Sequence, residues 1–219
     1  MALAIPYFVE LQRRLFDIFR YASCHESNFD TFSIMLESLL VDTCSFFDSL
    51  CQTFIREKEK AGHAFKEQAK IRDFGKKVTG ADDFSFADYR TLLEGDLILS
   101  KKEVNLNAYE YAPYAIPMPH NPTPALTGFP VAPFKEWATG ASSPWWKAFT
   151  DLKHDRLSNF REAKLRHVIY SLAGVFIILS LHHELEFKKS MKPELFDLFT
   201  PKYWSFAGRM MPGIVIWDD

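Results

Sequence analysis

Glycine is scarce in this sequence, with 9 residues in 219, and no glycine-rich phosphate loop can be drawn from them. Nucleotide binding on a backbone cradle is therefore unsupported. The chain has no His-Glu-x-x-His, no Cys-x-x-Cys and no Gly-x-Ser-x-Gly. Their absence removes the usual signatures of zinc peptidases, paired-thiol chemistry and nucleophile-elbow hydrolases. Cysteine is limited to Cys24, Cys44 and Cys51. An odd, unpaired set argues against a disulfide framework or a zinc centre. Cys44 and Cys51 stand one heptad apart in an apolar stretch and read as small core residues. No cofactor and no metal is expected.

Charge of one sign is also lacking. Twenty-six Lys and Arg face 28 Asp and Glu, for a net charge of −2 and a pI near 6.4. No global basic field advertises nucleic acid. Long hydrophobic runs are missing too: Val168 to Leu181 is a mostly apolar run of 14 residues, flanked by Arg166-His167 and His182-His183. It falls short of the roughly 18 to 20 residues that cross a bilayer, so a core helix is expected and no membrane partner. Met1 to Ile5 carries no basic residue and leads into no secretory signal, which makes the cytoplasm the expected compartment.

Aromatic residues are what the chain has in excess: 16% of the total, including 21 Phe. Such side chains serve burial first, so a bulky core is expected, with a sticky partner surface as the other use. A chain of this length buries roughly 70% of its unfolded surface and needs no metal or disulfide to fold.

Apolar spacing predicts a predominantly α-helical single domain over residues 1–219. Phe8, Leu11, Leu15, Ile18 and Phe19 predict a helix over 6–21, with Pro6 in its first turn. A second helix over 31–60 carries the stripe Phe32, Leu36, Leu39, Leu40, Thr43, Phe46, Phe47, Leu50 and Phe54, with Asn28 or Asp30 as its cap. Residues 62–83 read as a looser helix anchored by Phe65, Ile71 and Phe74, and 85–93 as a short helix. Leu97–Leu99 and Val104–Tyr111 read as a β-hairpin turning at Lys101-Lys102. Eight of the twelve prolines fall between Pro113 and Pro144. Such a stretch excludes helix and central strand, so 95–143 is expected to be a β/loop insertion. Ser143-Pro144 opens a helix over 144–155, and Asn159 with Glu162 signals a start for a long helix over 160–186. A helical piece near 193–199 and an apolar Ile214–Trp217, able to pair with the hairpin, complete the reading. Four substantial helices with few strands make a helical bundle.

Two clusters bear on chemistry. His182-His183-Glu184 offers metal-ligand types, but helical neighbours point about 100° apart and do not share one ion. Residues 153–167 hold five Lys and Arg against two acids, a local excess of three. The long helix starting there would present free amides and a positive dipole end beside Lys153, His154 and Arg156, an anion site suited to a phosphodiester. His154 can exchange a proton near neutral pH, and Arg156 can hold a phosphate bidentately. Metal-independent RNA cleavage needs those parts. The same residues also serve as helix caps and surface ion pairs, and that use stays open.

The run Trp145-Trp146-Lys147-Ala148-Phe149, continuing to Leu152-Lys153-His154-Asp155-Arg156 and then Ala163 before a long apolar helix, resembles the HEPN superfamily. It is most similar to bacterial HEPN-like proteins with a Lys-His-x-Arg element before the last bundle helix. Asn28 to Ser33, leading into Leu39 to Ser45, resembles the early helices of that group. The resemblance covers about 1–60 and 143–186 and leaves out the proline-rich segment. It implies a HEPN-like helical bundle, a homodimer, and RNA as partner. Active members are metal-independent ribonucleases of phage-defence and toxin systems, with an antitoxin as protein partner and an Arg/His motif paired across the dimer. By that resemblance His154 is the acid/base, Lys153 and Arg156 hold phosphate, and Asn159 caps the helix and orients the loop. Here His154 precedes Arg156, the reverse of the family's order. Arg161 and His167, with five residues between them, fit the family spacing and form a second assignment. Other HEPN domains are non-catalytic interaction or dimerisation modules, and that reading stands beside the ribonuclease one.

Overall fold

A computed structural model describes residues 3–107, 127–183 and 198–202. Helix α1 (Ala4–Phe19) buries Phe8, Leu11, Leu15 and Ile18, the stripe that predicts it. Helix α2 (Ile34–Lys60) buries Leu36, Leu39, Leu40, Thr43, Phe47, Leu50 and Phe54. Its cap differs from the expected one. Ser33 Oγ accepts from the Leu36 amide at 3.1 Å, while Asn28 donates to the Ser23 carbonyl and Asp30 pairs with Arg166. Phe32 consequently lies outside the helix and outside the core, at 41% exposure.

Residues 62–83 are mostly irregular, with one short helix, α3 (Phe74–Thr79), and buried anchors at Phe65 and Ile71. Helix α4 (Phe86–Leu97) starts at a Ser85/Asp88 capping box and runs four residues past its expected end. That length overturns the predicted hairpin. Leu97 is helical, Ile98 ends the helix in the left-handed region at φ 49°, and Leu99–Lys101 form a 3-10 turn. Glu94 holds this ending: its carbonyl accepts from the Ile98 amide, and its carboxylate from the Ser100 amide at 2.8 Å and from the Ser100 hydroxyl.

Strand β1 (Glu103–Asn107) instead pairs with β2 (Thr127–Val131) and β3 (Phe199–Lys202), both antiparallel, in the order β2-β1-β3. Val104 and Leu106 point into the core. The two prolines of the sheet, Pro130 and Pro201, sit on its outer strands, where a missing N–H breaks no inner ladder. Phe199, expected in a helical piece, is the first residue of β3. Residues 108–126, 184–197 and 203–219 lie outside the described residues, including the expected ends of the hairpin and long helix and the Ile214–Trp217 pairing.

The proline-rich segment is no separate excursion where it is described. Val131, Phe134 and Trp137 are buried in the common core. Phe134 and Trp137 join Phe47, Phe86, Trp145 and Trp146 in one aromatic cluster, with Trp146 stacked on Phe86 at 4.3 Å. The Pro133 carbonyl accepts from both Trp145 Nε1 at 2.8 Å and Ser143 Oγ at 2.9 Å. Ser143 therefore ties the segment to helix α5 (Pro144–His154) instead of capping it.

Helix α6 (Leu165–His183) is the centre of the bundle, packed against α1, α2 and α5. Its apolar character runs all round: Leu165, Val168, Leu172, Val175, Phe176, Ile178 and Leu179 are all inaccessible. Its window 165–182 has the length and composition of a membrane span, yet the bundle buries most of it. At Gly174 the helix meets the aromatic cluster, where an added Cβ would lie 3.2 Å from the Phe134 ring. The molecule is thus predominantly α-helical, with a small three-stranded sheet.

Candidate functional site

The junction between α5 and α6 differs from the expected continuous helix start. Phe160–Glu162 form a 3-10 turn, and α6 begins only at Leu165. Asn159 makes no side-chain cap. Its amide donates to the carbonyls of Asp151 and Asp155, both at 3.0 Å, closing the end of α5 instead of opening α6.

The predicted anion site also meets a different environment. The Leu165 amide donates to the Thr31 carbonyl at 2.9 Å and the Arg166 amide to the Phe29 carbonyl at 3.0 Å. Phe32 and Lys164 form an antiparallel bridge next to the first of those bonds. Backbone from the α1–α2 connection thus occupies the first amides of α6, and they are not offered to a ligand.

Further contacts extend this pairing in the same sense. Arg166 reaches Asp30 at 3.2 Å, Phe32 meets the Phe160 ring edge-on at 5.7 Å, and Arg156 Nε stands 3.0 Å from Glu37 Oε1. Pairs 30 with 166, 32 with 160 and 164, and 37 with 156 define an antiparallel ladder. Ile34 and Met35 fall between residues 32 and 37 on one run, and Leu157 between residues 156 and 160 on the other.

The predicted residues distribute over this ladder. Lys153 is exposed, its ammonium 6.0 Å from the centre of the Phe149 ring. His154 is exposed in the last turn of α5. Arg156 is 62% exposed and ion-paired with a carboxylate that is itself only 8% exposed. The Arg156 Nε approaches Glu37 off the line of a hydrogen bond, so Oε1 has the charge contact without a directed donor. Glu37 lies in the first turn of α2, where the helix dipole favours a negative charge. Hydrogen bonds from the Ser158 hydroxyl and amide hold the Asp155 carboxyl below its ordinary range.

Arg161 and His167 do not come together within one chain. Arg161 faces water from the 3-10 turn, whereas His167 is buried with Nδ1 2.8 Å from the Glu162 carbonyl. Burial pushes the His167 imidazole below its usual pKa, so it is neutral at physiological pH, with the proton on Nδ1 donated to that carbonyl.

The charge of the region changes once the fold is formed. Lys153, Arg156, Arg161, Lys164 and Arg166 now have Asp30, Glu37, Asp155 and Glu162 among them, leaving an excess of one (five minus four). Apolar exposure changes in the other direction. Leu157 is 91% exposed, Ile34 74% and Met35 53%, and with Phe32 they account for half of the large exposed hydrophobics among the described residues. The sequence does carry a signal for two of them. Ile34, Met35 and Leu36 are consecutive, and three successive helical residues cannot share one buried stripe. Glu37 has no such signal, since an acid beside a stripe reads as solvated.

Elsewhere His182 Nε2 lies 2.6 Å from Glu57 on α2, and no group of three metal-ligating side chains occurs among the described residues. The cysteines are buried, which pushes the Cys24 thiol up to about 12 and those of Cys44 and Cys51 well above their ordinary value. None offers a thiolate nucleophile. No protein-family model matches the sequence, and no curated protein or solved structure is significantly similar to it.

Proposed function

We propose that the protein is a HEPN-like helical interaction module, and that it docks a polypeptide through the face where residues 30–37 run against 156–166. The observation that carries this reading is the exposure of Ile34, Met35 and Leu157 on one ladder. A water-facing apolar centre with arginine at its edge has the composition of a protein interface. A photo-reactive residue placed at Leu157, in the organism's own cells, is expected to yield a covalent polypeptide adduct. The same group at Leu3 serves as control. An RNA adduct, or adducts equal at both positions, removes the reading.

A second reading, the metal-independent ribonuclease, draws on the exposed His154 with Lys153 beside it and Arg161 across the junction. The ribose 2′-oxygen would attack phosphorus and give up its proton to His154. The bond to the 5′-oxygen would break, and that oxygen would regain a proton from protonated His154, leaving a 2′,3′-cyclic phosphate. This reading carries less. Glu37 and Asp30 offset the local positive charge, and the α6 amides are already bonded. It expects RNA cleavage undiminished by EDTA and abolished by His154→Ala, or by His167→Ala if the Arg161/His167 pair acts across a homodimer. Activity that survives both substitutions eliminates it.

A further inference from the structure

We draw no further inference here: the strongest candidate, the open apolar groove between α1 and α2 lined by Leu3, Tyr7, Phe46, Leu50 and Thr53, carries none because nothing in the structure shows what covers it.

Discussion

Helix α6 and the junction just before it are adjacent in the chain and governed by different physics. Along α6 the side chains of Val168, Leu172, Phe176 and Leu179 are wholly buried between α1, α2 and α5. Burial is non-directional and scales with apolar area, so the helical spacing of those residues is enough to foretell their place. At the junction the decisive neighbours come from far away: Asp30 meets Arg166 across 136 positions, and Glu37 meets Arg156. A cation's role depends on which carboxylate arrives beside it, and no local pattern encodes that.

The largest expected effect lies on the α6 side of this comparison. Leu172→Ala or Phe176→Ala removes a fully buried side chain and should destabilise the fold by about 2–5 kcal/mol. Thermal midpoints unchanged by both substitutions would mean that α6 is not the centre of the core.

The Arg156–Glu37 pair is intermediate, because one partner is buried and the other mostly exposed. Arg156→Ala leaves a buried carboxylate without its counter-charge. The loss, discounted for the exposure of Arg156, should be about 1 kcal/mol in urea denaturation. In a Glu37→Gln background the same substitution should have almost no effect. Equal losses in both backgrounds would show the contact to be energetically silent. Arg156→Ala is accordingly a poor test of RNA chemistry, since it also perturbs the fold.

His167 joins the two regions and makes stability depend on pH. Its folded pKa lies below the ordinary 6.5, so the unfolded chain takes up a proton first as pH falls. Its contribution is complete above about pH 6.5 and declines as the pH drops through the interval down to the folded pKa. The melting temperature should therefore fall as the pH is lowered below about 6.5, and His167→Gln should flatten that slope. An identical slope in the variant would mean that other groups carry the dependence.

The smallest stability effect is expected where apolar side chains are most exposed. Leu157→Ser and Ile34→Ser should change folding free energy by less than about 0.5 kcal/mol. A loss comparable with that of Leu172→Ala would place these residues in the core and end their candidacy as a docking face.

The fold was far more legible in the sequence than the candidate site. Helices α1, α2, α5 and α6 follow from apolar stripes, and the prolines of the sheet sit where their missing N–H allows. Leu97–Leu99 have β-friendly types, but Glu94 holds them in a helix end and a 3-10 turn through the Ile98 amide and Ser100. Ser143 and Asn159 were legible as polar residues at helix starts, but not for the bonds they make. Each donates where a cap would accept: the Ser143 hydroxyl to the Pro133 carbonyl, the Asn159 side-chain amide to the Asp151 and Asp155 carbonyls.

By itself the sequence determined a helical bundle with a Phe-rich core, buried unreactive cysteines and a cation-rich stretch at residues 153–167. Periodicity and composition are local properties, and water reads them the same way in any context. Tertiary structure alone decided that the cations of that stretch share their surface with Glu37 and Asp30. It also decided that the first amides of α6 are consumed by residues 29–31, and that Ile34, Met35 and Leu157 face water together. Each of those outcomes depends on which two distant segments become neighbours, and only the packed chain brings them there.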